Sequence, residues 1–188
     1  MTLNSSQNKL TLNEFYELRT TTDEYLEFIN GKVYLLPSPS TQHQHISSHL
    51  HFALFEYLQG KTYELFSSPF DIELHCSDIP ENQVVIPDLS IICDKKGLTV
   101  NRYMGVPDFI IEILPPTNQA HDLITKLNLY MQYGVKEYWI VNPFENGILI
   151  YVLDDENRYK LKNILKGYDT AESIVLDGFS VNLVKVFK

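Results

Sequence analysis

The sequence predicts an α/β fold, a central mixed β-sheet flanked by helices, and three observations predict it. Apolar residues recur at helical spacing in two stretches, Ile46 to Leu58 and Leu123 to Met131. Around them lie short runs of β-forming residues, several apolar throughout in the manner of strands buried on both faces. Helical and strand segments interleave along the chain, the order of a mixed layer architecture. At 188 residues, 44% of them apolar, the chain can bury one sizeable core and is short for two. No repeat, low-complexity tract or dividing linker is visible, so residues 11–188 read as a single domain behind a flexible, polar N-terminus at 1–10.

Thr11 with Glu14 three residues on is a capping box, opening a short helix through about Arg19. Tyr25 to Ile29 and Lys32 to Leu36 flank Asn30-Gly31, two residues that tolerate the positive φ of a type I′ turn, and so form a hairpin. Pro37 and Pro39 stop it, and an amphipathic helix runs from there to Gly60. Thr62 to Phe66, Phe70 to Leu74 and Val84 to Ile92 read as a meander separated by turn-rich stretches such as Cys76 to Asn82. The third run is apolar on both sides of Pro87-Asp88, a buried strand bent where the proline removes a donor, which puts Asp88 at the kink.

Phe109 to Leu114 is a further buried strand interrupted by one carboxylate, Glu112, and closed by Pro115-Pro116. A helix from His121 to Tyr133 follows, with Gly134 as its C′ residue. Tyr138 to Val141, Ile148 to Leu153 and Tyr159 to Leu165 complete the strands and form a sheet edge.

Composition narrows the chemistry. The net charge is −9 with three arginines, Arg19, Arg102 and Arg158, a poor balance for broad, sequence-independent nucleic-acid binding. Cys76 and Cys93 form no CxxC, so neither a thiolate zinc site nor a disulfide framework is indicated. No signal peptide and no apolar run of about 18 residues is present, so a cytoplasmic protein without a membrane partner is expected. Walker, GxGxxG and GxSxG motifs are absent from the sequence.

Asp88 and Glu112 are each a lone carboxylate inside an apolar strand. An ionised carboxylate buried without a partner costs several kcal/mol, so each needs a cation, a set of donors or an opening to a cleft. A hard divalent cation meets both needs, because Mg²⁺ takes one or two carboxylates and keeps waters in its remaining positions. The competing reading makes Asp88 a turn cap after Pro87 and pairs Glu112 with a nearby lysine. Lys126, on the helix after the Glu112 strand, could aim its ammonium at the strand end and stabilise developing charge. Spacing alone favours an exposed i,i+4 pair from Asp122 to Lys126.

Glu27 shares parity with Ile29 and points inward as an additional acid, while Asp71 sits in a similar apolar run with its face undetermined. His45 and His49 lack the intervening glutamate of a zincin helix and, with His43 and His51, read as solvated. Arg158, Lys160 and Lys162 alternate on one strand face, as edge protection does. Cys93 lies beside the strand end without a paired base.

Glu27-Phe28-Ile29-Asn30-Gly31, His43-Gln44, Ser68 to Ile72, Pro87-Asp88-Leu89-Ser90, Pro107 to Leu114, Asp122 with Lys126 and Tyr130, and Gly134 to Val141 follow one another in a specific order and spacing. Together they resemble the Uma-two family of endonucleases, a branch of the PD-(D/E)XK superfamily with a restriction-endonuclease-like fold. The resemblance covers about Leu10 to Leu153. It implies that Asp88 and Glu112 hold Mg²⁺ or Mn²⁺. It also implies that Lys126 replaces the strand lysine whose usual place is taken by Leu114, and that Glu27 is an extra acid, with His43, Asp71 and Asp122 at the periphery. Two positions depart from the family pattern: Lys32 follows the hairpin glycine, and Pro115-Pro116-Thr117 follows the glutamate strand.

The implied activity is Mg²⁺-dependent hydrolysis of nucleic-acid phosphodiesters, DNA being the expected substrate and a homodimer the expected state. Two other readings stay open at this point: a non-catalytic binding or assembly module on the same fold, and a metal hydrolase of small phosphoesters.

Overall fold

Capping and turn chemistry set the first elements of the structure, a computed structural model that describes residues 9–115 and 121–188, without the side chains of 121–123. Thr11 accepts the Glu14 N–H while the Glu14 carboxylate accepts the Thr11 N–H, starting α1 (Leu12–Arg19). Asn30 and Gly31, at φ 54° and 78°, turn β1 (Leu26–Ile29) into β2 (Lys32–Leu35) in register Glu27↔Tyr34. The Leu10 N–H donates to the Gly31 carbonyl; the rest of the expected flexible N-terminus, apart from Lys9, lies outside the described residues. Ser40 caps α2 (Thr41–Leu58), which buries Ile46, Leu50, Leu54 and Leu58.

The strands divide between two large sheets rather than one. β3 (Glu64–Ser67), β4 (Asp71–Cys76), β5 (Ile79–Val85), β6 (Leu89–Ile92), β7 (Arg102–Met104) and β8 (Phe109–Ile113) follow in the chain. A π-turn at His121–Lys126 leads into α3 (Leu127–Tyr133), then β9 (Glu137–Asn142), β10 (Gly147–Leu153) and β11 (Tyr159–Lys166). A small ribbon of β12 (Thr170–Glu172) and β13 (Ser180–Asn182) precedes α4 (Leu183–Phe187). One sheet has the order β2-β1-β5-β4-β7, the other β11-β10-β9-β8-β6-β3. Each contains one parallel pair, β4 with β7 and β8 with β9.

The expected meander does not form. β3 pairs with β6 in the larger sheet, while β4 pairs with β5 in the smaller one around a tight turn at Ser77-Asp78. The run at 84–92 is two strands, because Pro87 cannot donate to a ladder and the chain changes sheets there. On one face of the larger sheet, Phe109, Ile111 and Ile113 pack against α2 and α4. On the other, Ile110 and Leu114 pack with Ile29, Ile72, Leu129 and Tyr130. Glu112 has the parity of Ile110 and so faces the layer holding β1 and α3.

Candidate active site

Strand register brings the two lone carboxylates together. β6 runs antiparallel to β8 with Leu89 opposite Ile111 and Ser90 opposite Ile110, so one further step sets Asp88 level with Glu112. Asp88 is fixed from three sides. Its carbonyl accepts the Ser68 N–H at 3.0 Å, and its Oδ2 accepts the Ile113 N–H at 2.7 Å and lies 3.1 Å from His43 Nε2. The turn-capping reading of Asp88 is therefore replaced by a cross-strand role.

Beneath it lies a buried ionic cluster. Lys126 is 2% exposed, and its Nζ stands 2.9 Å from Glu27 Oε1 and 2.9 Å from Glu112 Oε1. Glu27 Oε1 also accepts the Ile86 N–H at 2.9 Å, and Glu112 Oε1 accepts the Tyr130 hydroxyl at 2.7 Å. Burial first, then the charges of Glu112 and Glu27, hold the Tyr130 phenol well above its ordinary pKa, so it remains a donor. Tyr34 is likewise raised, by burial and then by Glu27 across the hairpin. The exposed pair expected for Lys126 is overturned by its burial: the chain enters α3 through a π-turn, which displaces the 122/126 spacing from that of an α-helix.

These groups floor a cleft of about 1100 Å³. Tyr25 and Tyr34 of the hairpin line one part of it, and His43, Ser47 and His51, four residues apart along α2, line another. His43 and His51, each half-buried, thus line the cleft, while His45 is exposed as expected. His49 turns away, its Nδ1 lying 3.1 Å from the Val186 carbonyl.

The cleft gathers Glu27, His43, Asp88, Glu112 and Lys126. Asp71 lies elsewhere, ion-paired with Arg19; the Asp122 side chain lies outside the described residues. Arg158 and Lys160 pair with Glu156 and Asp154, and a bulge at Lys162 breaks the alternation that would align all three. Cys93 is exposed and free, with its backbone N–H bonded to Asp108. Tyr130 had no assigned role in the sequence reading, although its place four residues after Lys126 is the spacing that lets both reach one carboxylate.

The donor set fits a hard cation of the magnesium kind. Asp88 and Glu112 are oxygen donors at adjacent strand ends, and Mg²⁺ uses one or two carboxylates with waters completing its shell. Among the described residues no three His, Cys, Asp or Glu side chains converge as a larger metal-ligand set. Among the same residues, no helix is long and apolar enough to cross a membrane.

Comparisons with known proteins place this architecture. Two uncharacterized proteins of Synechocystis sp. (strain ATCC 27184 / PCC 6803 / Kazusa) are similar in sequence. One, slr1290, is 24% identical over 82% of this chain and 80% of its own length; the other, sll1609, is 25% identical over 72% and 76%. The crystal structure of a putative nuclease belonging to DUF820 from Anabaena variabilis ATCC 29413 superposes with a TM-score of 0.75 at 18% identity, covering 95% of this chain and 97% of that one. That likeness establishes the fold, which is the mixed α/β class the sequence predicts. The profile of the Uma2 family, described as putative restriction endonuclease, matches residues 12–184, and the chain belongs to that family.

Proposed function

We propose that the protein is an Mg²⁺-dependent endonuclease, Mn²⁺ being an alternative ion, that hydrolyses nucleic-acid phosphodiesters, DNA among them. The observation that carries the reading is the Lys126 ammonium bridging Glu27 and Glu112 under the cleft into which Asp88 ends. Asp88 and Glu112 would hold the ion, which when bound would polarise the scissile phosphate and lower the pKa of a water. Lys126 pairs with both buried glutamates and places positive charge beneath the point where the phosphate gains negative charge. Tyr130 and the Ile86 N–H fix which carboxylate oxygens the lysine meets. The Ile113 N–H and His43 orient Asp88.

Residues 11–188 act as one folded unit inside the cell. A homodimer through the edge strand β11, which exposes Leu161 and Ile164, is the working assembly; light scattering at working concentration returning a monomer contradicts that part. The activity is tested by calorimetric titration of Mg²⁺ and Mn²⁺ into the wild type and Asp88→Ala, with plasmid nicking followed in the same buffers. Binding and metal-dependent nicking, both lost in the variant, are expected. Metal binding with turnover of a small chromogenic phosphodiester and intact plasmid would replace the substrate class. A wild type that binds no metal overturns the enzyme reading in favour of a non-catalytic module.

A further inference from the structure

The charge lining the cleft is unusual for an enzyme that takes duplex nucleic acid. Lys126 is the one lysine or arginine among the described residues that line it, and it is buried between two glutamates. Asp23 and Glu24 are exposed at its edge, and the whole chain carries −9. A duplex presents one phosphate per about 1.7 Å of axis, and tight binding needs many of those charges neutralised. This lining supplies little of that neutralisation.

What the cleft offers instead is aromatic surface and hydrogen-bonding side chains. On the hairpin, Glu27 pairs with Tyr34, and the Leu36 N–H bonds to the Tyr25 carbonyl, so Tyr25, Glu27 and Tyr34 share one side of the ribbon. Tyr25 is 51% exposed, an open ring at the cleft edge, and Tyr34 is half-buried further in. From α2, Ser47 and His51 supply hydroxyl and imidazole groups able to hydrogen-bond phosphate and sugar oxygens.

Resting on the nuclease reading above, we infer that the cleft takes single-stranded nucleic acid, with a base stacked on Tyr25 and the backbone passing along the Ser47 and His51 side of α2. Stacking on aromatic rings is the mode of recognition that tolerates any base and needs less phosphate neutralisation than duplex binding.

The test is fluorescence anisotropy with a fluorescein-labelled DNA oligonucleotide, single-stranded or annealed to its complement, in EDTA so that no cleavage intrudes. The single strand binds more tightly than the duplex, and Tyr25→Ala weakens single-strand binding by about 5- to 150-fold, the fold-change equivalent to one lost base–aromatic stack. Tyr25→Phe retains the affinity, and so does Tyr168→Ala, which alters an exposed tyrosine outside the cleft. A duplex bound as tightly as the single strand, or Tyr25→Ala binding like the wild type, overturns the inference while leaving metal-dependent nicking untouched. Single-strand binding that follows this pattern in a protein that cleaves nothing with Mg²⁺ breaks the nuclease reading instead.

Discussion

Glu112 and Glu137 lie on neighbouring parallel strands, both buried, near opposite ends of the pair and on opposite faces of the sheet. Glu112 is met by an ammonium and a phenol and borders a cleft. Glu137 is met by four neutral donors. Its Oε1 accepts the Trp139 Nε1–H at 2.7 Å, and its Oε2 accepts the Ser173 hydroxyl at 2.7 Å and the backbone N–H groups of Ile174 and Val175 at 2.9 and 2.8 Å. It fastens the segment before α4 to the sheet. The difference teaches that a buried carboxylate is not by itself the mark of an active site. What distinguishes the carboxylate of the proposed site is that its partner is a charge and that the pair borders open space.

The comparison is broken most forcefully at Lys126. Lys126→Met leaves Glu27 and Glu112 buried without their cation and costs about 3–5 kcal/mol of unfolding free energy in urea; a loss below about 1 kcal/mol would mean that the two acids do not depend on it. Asp88 is partly exposed and its carboxylate takes one backbone donor, the Ile113 N–H, so Asp88→Ala weighs far more on activity than on folding. Metal-dependent nicking should drop by more than about 100-fold, beyond the loss typical of residues that only support ligands, with a urea midpoint near that of the wild type.

Glu137→Gln reverses that pattern. A neutral amide cannot accept from all four donors, so about 1–3 kcal/mol of stability is lost while nicking proceeds at the wild-type rate. Tyr130→Phe removes one donor from Glu112 and costs about 1 kcal/mol, with nicking reduced about 10-fold as for other residues that orient a ligand.

The smallest effect is a pH dependence. Burial is the largest influence on Glu137 and lifts its pKa above the ordinary glutamate value, against hydrogen bonds that pull it down. A raised folded pKa gives a stabilising contribution that is full below the unfolded value of about 4.3 and is lost as pH rises through the folded one. The gap in urea midpoint between the wild type and Glu137→Gln should therefore narrow as pH climbs from that value. A gap that widens contradicts the assigned direction.

What was legible in the sequence was local. The Thr11–Glu14 box, the Asn30-Gly31 turn, the amphipathic helix before Gly60 and the stop at Gly134 each depend on local spacing, and each forms as read. Asp88, Glu112 and Glu27 stood out because a charge inside an apolar strand needs an explanation, and the structure lines one cleft with all three. The partner of each strand was not legible. β3 and β4 are separated by three residues yet belong to different sheets, and only long-range packing decides that.

The burial of Lys126 was hidden for a related reason. An Asp four residues before a Lys looks like an exposed helical pair, and nothing in that spacing signals a π-turn. Glu137, in the run GVKEYWIV, offered no cue, because its donors at 173–175 come from a segment the hydrophobic pattern left unread.

The most direct test of the contrast is a matched pair, Glu112→Gln and Glu137→Gln, each measured for Mg²⁺-dependent plasmid nicking and for urea unfolding in the same buffer. The account predicts that Glu112→Gln stays folded and loses nicking, whereas Glu137→Gln unfolds at lower urea and nicks like the wild type. Wild-type nicking by folded Glu112→Gln would contradict it.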